Sequence, residues 1–425
     1  MPPPTADPAR VLYLEGNYDG TVGGSYYSLL FLIENLDRAR FQPVLVLRRD
    51  TPLMARFRAA AGRVTIIPRR TPFQVPAAWR RAPLLGPVLR AVQGAINVLR
   101  FYGDVYRLSR VIVRERADLV HLNNSVTSNH DWMMAAMLAR VPCITHERGL
   151  NDHYSARARW CAPRLARIIC ISKAVYDKLL ERSVARNNLV MIHNGLDPAQ
   201  VVPTQSAEAF RQAFRIPADH QVIGLLGNIR PWKGQEVVVR ALPDIVRRVP
   251  RVTCLFVGEA ATGDQPYLTR LQTLARELGV EQHVVFTGYC PQVADALNVM
   301  SVSIHASTSP EPFGRVLLEA MAMRKPVVGS RGGAVTEIVV DGVTGTTFEP
   351  GNPADLATAV SGLLEQPDRA RAFGEAGYAR LVAEFHIARN VARTMAVYDE
   401  VLKIAVSESG PAGGSATRGA GRRTA

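Results

Sequence analysis

The feature that most constrains this chain is a recurrence of short, unbroken apolar runs separated by longer helical stretches. After ARVLYLEG come QPVLVLR, RVTIIP, ADLVHLNN, VPCITHER, ARIICIS and NNLVMIHNG. Runs that are apolar at consecutive positions belong to strands covered on both faces. Intervening helices supply that cover, so the strands run parallel. The rhythm relaxes after Asp197, in VPTQSAEAF, and restarts with QVIGLLGNI, VTCLFVGE, HVVFTGY, VSIHAS and PVVGSR. A chain of 425 residues is also too long for one compact core. The expectation is an α/β protein of two doubly wound, Rossmann-like domains, residues 9–200 and 204–385, joined near Pro198 to Pro203.

Hydrophobic residues at 47% and charged residues at 21% are ordinary for a globular protein, but a net charge of +14 is not. It admits nucleic acid, an anionic membrane surface or a phosphorylated substrate as partner. The arginines have no aromatic platform, helix-turn-helix or zinc spacing around them, so no nucleic-acid partner is expected. No stretch of 18 apolar residues occurs, and MPPPTADPAR lacks the apolar centre of a signal peptide. The expected location is cytoplasmic. Cys143, Cys161, Cys170, Cys254 and Cys290 form no C-x-x-C pair and are expected to be free thiols.

The segment from Trp79 to Arg116 carries eight arginines against only Asp104 and Glu115. Two readings fit it: a solvated helical hairpin packed on the first domain, or a patch for an anionic membrane surface. Residues 407–425, rich in Gly, Ser and Ala, are expected to be disordered.

Three places suit an anion. The first strand leads through NYDGTVGG, with Gly23 and Gly24 at the turn, into the helix SYYSLLFLIENL. A helix start offers free N–H groups and the positive end of its dipole, although a tight turn alone would read the same way. This is not G-x-G-x-x-G, and no acid follows at dinucleotide spacing. In LLGNIRPWKGQEVVVRAL, Arg230 and Lys233 occupy the loop after a buried strand, with Gly234 behind them. Ligands of doubly wound sheets bind at that edge, and the pair suits a pyrophosphate, or is merely solvated. The third place is SPEPFGRVLLEAMAMRKPVV, where the N–H groups of Phe313, Gly314, Arg315 and Val316 open a helix. Glu311 precedes that start, and Glu319 lies about 7 to 8 Å along the helix. Leu317, Leu318 and Met321 mark a buried stripe, in which a carboxylate needs a hydrogen-bonding partner such as a hydroxyl-rich ligand.

These residues resemble the retaining glycosyltransferases of family 4, with the two-domain GT-B architecture. EPFGRVLLEAMAMRKPVV is similar to the family's E-x7-E segment, GNIRPWKG to its G-x-x-x-x-x-KG loop, MIHNGLD to its interdomain turn and GGAVTEIVVDGVTG to the loop that follows. The resemblance covers most of residues 9–400. It implies a central cleft between an acceptor-binding first domain and a second domain for the nucleotide sugar, with helix 386–405 returning to the first and a hinge near Asn194 and Gly195. It further implies that Arg230 and Lys233 hold the donor diphosphate and Glu319 the ribose. Glu311 would meet the transferred sugar, aided by the N–H groups of Phe313 and Gly314, and Gly24 would approach the phosphate. Base contacts would come from loops around Glu259 and Tyr289. Many members carry H-x-H at the end of the fourth strand; here His121 is followed by Asn123, which cannot take a proton at neutral pH. His146, in THERG beside Glu147 and Arg148, is then a candidate for acceptor contacts, or a satisfied structural histidine.

The expected reaction moves a hexose from a nucleoside-diphosphate sugar to a glycan or lipid-linked acceptor, with retention implied by the resemblance. Charge on the departing diphosphate would fall on Arg230, Lys233 and the helix starts. No D-x-D occurs in the chain, so neither a metal nor any cofactor beyond the donor substrate is expected. Paired carboxylates also suggest a glycosidase, but a hydrolase of neutral sugars has little use for those cations. A sugar-nucleotide epimerase on the same architecture is the alternative.

Overall fold

The computed structural model describes residues 7–17, 23–81 and 85–403; the tail 407–425 and positions 18–22 of the first turn lie outside them. The chain forms two parallel sheets. The first holds β1 (Ala9–Glu15), β2 (Phe41–Leu47), β3 (Val64–Ile66), β4 (Leu119–Leu122), β5 (Cys143–Glu147), β6 (Arg167–Cys170) and β7 (Leu189–Met191), in the order β3-β2-β1-β4-β5-β6-β7. The second holds β8 (Gln221–Leu226), β9 (Val252–Val257), β10 (Val284–Gly288), β11 (Val302–His305), β12 (Val327–Ser330) and β13 (Gly345–Phe348), in the order β10-β9-β8-β11-β12-β13. Central strands such as β4 and β9 are buried along their whole length, as their unbroken apolar runs require.

Two details depart from the sequence reading. The strand β13, GTTF, is too short and polar to announce itself, and only Phe348 anchors it in the core. The basic segment is one 29-residue helix, Gly86–Arg114, preceded by the single turn Ala77–Arg80, and not a hairpin. Gly94 and Gly103 lie inside it without breaking it. Val105, Leu108 and Ile112 bury its C-terminal half, and it packs on the helix His130–Ala139.

The chain crosses between the sheets twice, and the crossings are zipped together: Leu196 N donates to Phe385 O at 2.9 Å and Ile387 N to Leu196 O at 3.2 Å. Gly195 permits this approach, since a Cβ there would lie 2.7 Å from Ile387 Cα. The last helix, Ile387–Leu402, then packs on the first sheet. Its buried Tyr398 hydroxyl lies 2.6 Å from His121 Nδ1 and 3.1 Å from the Tyr13 hydroxyl, while Asp399 pairs with Arg40 and Glu400 with Arg167. All five cysteines are free thiols, and no helix among the described residues is long and apolar enough to cross a membrane.

Candidate functional site

The order of the second sheet turns back between β8 and β11, and the loops leaving these neighbours open a crevice at their carboxyl ends. The loop after β8 carries Arg230 and Lys233, and it is pressed onto the end of β11 at Gly234. There φ is +75°, and a Cβ would sit 1.8 Å from Ala306 O, so only glycine fits. Lys233 Nζ consequently reaches Glu311 Oε2 at 2.8 Å and lies 4.1 Å from the centroid of Trp232. Arg230 is more exposed, with Nε 3.4 Å from Asp264 Oδ2.

Glu311 is only 9% exposed. Burial alone would raise its carboxyl, but His305 Nε2 at 3.3 Å and the Lys233 ammonium outweigh it and hold the pKa at about 2. Ser307 Oγ donates to the same oxygen at 3.1 Å. The result is a permanently ionised acceptor beside an ammonium, suited to sugar hydroxyls. Beyond it Phe313 is buried, and Gly314, at φ +86°, caps the helix Arg315–Ala322, whose first turn, with Val316, carries no acidic side chain. Glu319 is buried one turn on, and Arg315 Nη2 meets its Oε1 at 2.7 Å. The same guanidinium stands 4.5 Å from the ring centroid of Tyr27, so Arg315 bridges the two domains. Glu259 and Tyr289, both exposed, follow β9 and β10, whose ends are tied by Gly258 N donating to Gly288 O at 3.0 Å.

On the first domain, Gly23 and Gly24 begin the helix Gly24–Glu34 after β1. Among the described residues, nothing lies within 4 Å of where a Cβ at either glycine would sit. Behind it lies a buried polar cluster. Glu15 accepts from Asn123 Nδ2 at 2.6 Å and Asn124 Nδ2 at 2.8 Å. Arg148 donates Nη2 to Asn123 Oδ1 at 2.7 Å, Nε to Asn123 O at 2.7 Å and Nη1 to Asn194 Oδ1 at 2.9 Å.

This arrangement bears on two residues picked out from the sequence, Asn123 and His146, the second of which is open there to a structural reading. Asn123 is fully buried, and its side-chain amide is bonded to Glu15, Ser25 O and Arg148, so it braces the wall of the first domain. His146 lies 2% exposed, stacked on His121 with Nδ1 2.7 Å from His121 Nε2. It lines a narrow gap with Ser28, Arg148, Asn194 and Asn390, where the domains meet, and offers almost no surface to an acceptor.

The sequence reading did not single out His305, Ser307 or Tyr27. His305 ends an apolar strand at the ligand edge of the sheet, which is a signal in hindsight. Tyr27 carries none, because its contact with Arg315 spans two domains.

A model of the glycosyl transferases group 1 matches residues 206–380, and a model of glycosyltransferase family 4 matches residues 22–200. Among curated proteins, a GDP-mannose-dependent alpha-(1-6)-phosphatidylinositol monomannoside mannosyltransferase of Mycolicibacterium smegmatis is 38% identical over 192 residues, 43% of this chain and 49% of that protein. A D-inositol 3-phosphate glycosyltransferase 2 of Catenulispora acidiphila is 32% identical over 218 residues, 50% of each chain. The chain thus spans about half the length of these relatives. Among solved structures, Anabaena HepE in complex with UDP and glucose shares 24% identity at a TM-score of 0.75, covering 92% of this chain and 99% of that one. A glycosyltransferase of Rickettsia africae shares 18% identity at a TM-score of 0.77, covering 94% and 100%. With both sheets, their crevice and two family models in register along it, the chain belongs to the family 4, group 1 glycosyltransferases of the GT-B fold.

Proposed function

We propose that the protein transfers a hexose from a nucleoside-diphosphate sugar to a glycan or lipid-linked acceptor, with retention of anomeric configuration, in polysaccharide or glycolipid assembly. The observation that carries this reading is the Lys233–Glu311 contact at the β8–β11 crevice, which sets a cation and an ionised acceptor beside a helix start. Lys233 and Arg230 take the diphosphate and stabilise the charge that grows as the glycosidic bond breaks. Glu311 orients the sugar through its hydroxyls, and Glu319, once released by Arg315, accepts from the ribose. The helix start at Gly23 and Gly24 approaches the phosphates from the other domain. These groups supply the charge without a metal ion, in keeping with a sequence that has no D-x-D.

The names of both relatives support a phosphorylated, anionic acceptor, and that of the phosphatidylinositol monomannoside mannosyltransferase supports a lipid-linked one. The helix Gly86–Arg114 fits that reading. Val88, Val92, Leu99, Tyr102 and Tyr106 are exposed along one stripe of it, Arg100 and Arg110 are exposed on the same helix, and its single acid, Asp104, is paired with Arg70 and Arg107. An apolar stripe with arginines is complementary to anionic lipid, which supports a reading of peripheral contact at the inner membrane face.

The test is a thermal-shift panel of UDP, GDP, ADP and dTDP sugars, since a ligand that binds only the folded state raises apparent stability. The stabilising donor is then incubated with acceptors and the anomeric product is read by NMR. A donor isomerised without acceptor would instead identify an epimerase.

A further inference from the structure

We propose that Ser172 and Glu337 form an interdomain clasp that sets the position of the donor loop Glu311–Gly314, making both of them positioning residues. The inference rests on the transferase reading. Ser172, fully buried, is the N-cap of the helix Lys173–Glu181 in the first domain, accepting from Val175 N at 3.2 Å. A cap needs only its oxygen lone pairs, which leaves the hydroxyl proton free. Ser172 sends that proton across the domain boundary to Pro312 O at 2.7 Å, the carbonyl between Glu311 and Phe313.

The second half of the clasp runs in the opposite direction. Glu337, on the short helix Val335–Ile338 of the second domain, accepts Lys173 N at 2.8 Å on one oxygen and Ala174 N at 2.9 Å on the other. A carboxylate of one domain thereby caps a helix of the other, where dipole and free N–H groups both favour it. His193 Nε2 lies 2.8 Å from Glu337 Oε2, next to the crossing residue Asn194. Arg380 fixes the Glu337 backbone from behind, Nη2 to O at 2.7 Å. The turn that leads into the Glu337 helix is bound to the donor loop, because Ala334 N donates to Glu311 O at 2.9 Å and Gly333 pairs with Glu311, while Glu337 N donates back to Ala334 O at 3.0 Å.

Both halves therefore end on the backbone that flanks Glu311, and both lie beside the crossings at Asn194 to Leu196 and Phe385 to Ile387. Close to a pivot, a small change of contact corresponds to a large change at the cleft mouth. The clasp links rotation of the domains to the geometry of the loop that presents Glu311 and the Phe313 and Gly314 N–H groups.

The experiment uses Ser172→Ala, Glu337→Ala and the double variant in the full chain. Hydrogen exchange at the Lys173 and Ala174 amides should speed up by about tenfold or more in Glu337→Ala. Small-angle scattering should show a broader range of domain separations in both single variants. With the sugar nucleotide that the parent turns over, kcat should fall by about tenfold while nucleoside-diphosphate affinity stays within about twofold, and the double variant should be no slower than the worse single one. Unchanged exchange and scattering would overturn the clasp, as would multiplicative losses in the double variant. If Glu337→Ala does not fold, Glu337→Gln, which keeps the shape and one acceptor, carries the same readouts. A parent that turns over no sugar nucleotide would refute the transferase reading, while exchange and scattering still decide the clasp.

Discussion

Lys233 Nζ and Glu311 Oε2 lie 2.8 Å apart although 78 residues separate them in the chain. The contact exists because β8 and β11 are neighbours at the point where strand order reverses, so loops distant in sequence leave the sheet side by side. Lys233→Ala removes the ammonium from the proposed diphosphate site and leaves Glu311 buried with a weaker counter-charge. The expected loss is about 1.5 to 3 kcal/mol in transition-state stabilisation, the scale of one hydrogen bond to a charged group. Comparing kcat/KM for the sugar nucleotide in parent and variant reads it directly. An undiminished kcat/KM would remove Lys233 from the site.

Gly234 makes that contact possible, and its substitution separates backbone from side-chain effects. In Gly234→Ala the left-handed conformation costs about 1 to 2 kcal/mol. Overpacking against Ala306 O adds about 1 to 3 kcal/mol, because the obstacle is backbone and cannot swing away. Gly279→Ala is the control, since φ is +66° there and the Cβ meets open space. Urea unfolding should rank Gly234→Ala well below Gly279→Ala, and equal midpoints would show that the Ala306 contact is unimportant.

The two sheets were legible because strands buried on both faces must be apolar throughout, and runs such as VLYL, VLVL and VTCLFV can be little else. The local anion sites were legible for a similar reason: Arg230 to Gly234 and Glu311 to Glu319 are short segments whose chemistry and geometry lie in consecutive residues. Contacts assembled by sheet order were not. Glu15 meets Asn123 across 108 positions and Glu337 meets Lys173 across 164, and no spacing rule encodes either. Asn123 shows the consequence: the sequence marks it as standing where many family members carry a histidine, but not that a buried carboxylate on the neighbouring strand β1 holds its amide.

Acid should unfold the protein through its buried imidazoles, with Glu147 opposing them. Burial, reinforced by the nearby Arg148, pushes His121 down to about 3 and His146 well below its ordinary range, so both are neutral when folded. The unfolded chain protonates them near 6.5, and stability is lost as pH falls through that value. Burial raises Glu147 to about 7, despite hydrogen bonds from Ser125 and backbone N–H groups, whereas its unfolded value is 4.5. The folded state therefore takes up that proton first, which stabilises it as pH falls from 7. Toward the lower end of the range from 6.5 to 4.5 the unfolded state has bound two protons on its histidines and the folded state one, on Glu147. The net slope approaches about 1.4 kcal/mol per pH unit toward the lower end. Glu147→Gln removes the opposing proton, and urea unfolding of that variant between pH 5 and 6 should show roughly twice the slope. An unchanged slope would mean that Glu147 is ionised throughout.

The long helix Gly86–Arg114 gives the last prediction, because its exposed stripe distinguishes a lipid surface from a protein partner. Val88, Val92, Leu99, Tyr102 and Tyr106 recur at spacings of three, four and seven residues, which would also suit packing against a second copy. Charge decides between the two. Arg100 and Arg110 are exposed on the helix and its single acid, Asp104, is already paired, so a second copy would bring cations and no spare acid on this helix to meet them. An anionic bilayer supplies the missing charge, worth about 1 kcal/mol for each arginine near the surface. The protein should co-sediment with vesicles containing anionic lipid at low salt and much less with neutral vesicles. Raising the salt should release it as the Debye length shrinks. Leu99→Glu and Tyr106→Glu place carboxylates on exposed positions and should abolish sedimentation without lowering the unfolding midpoint. If the parent instead elutes as a dimer that either substitution dissolves, and ignores the vesicles, the stripe is a self-association seam.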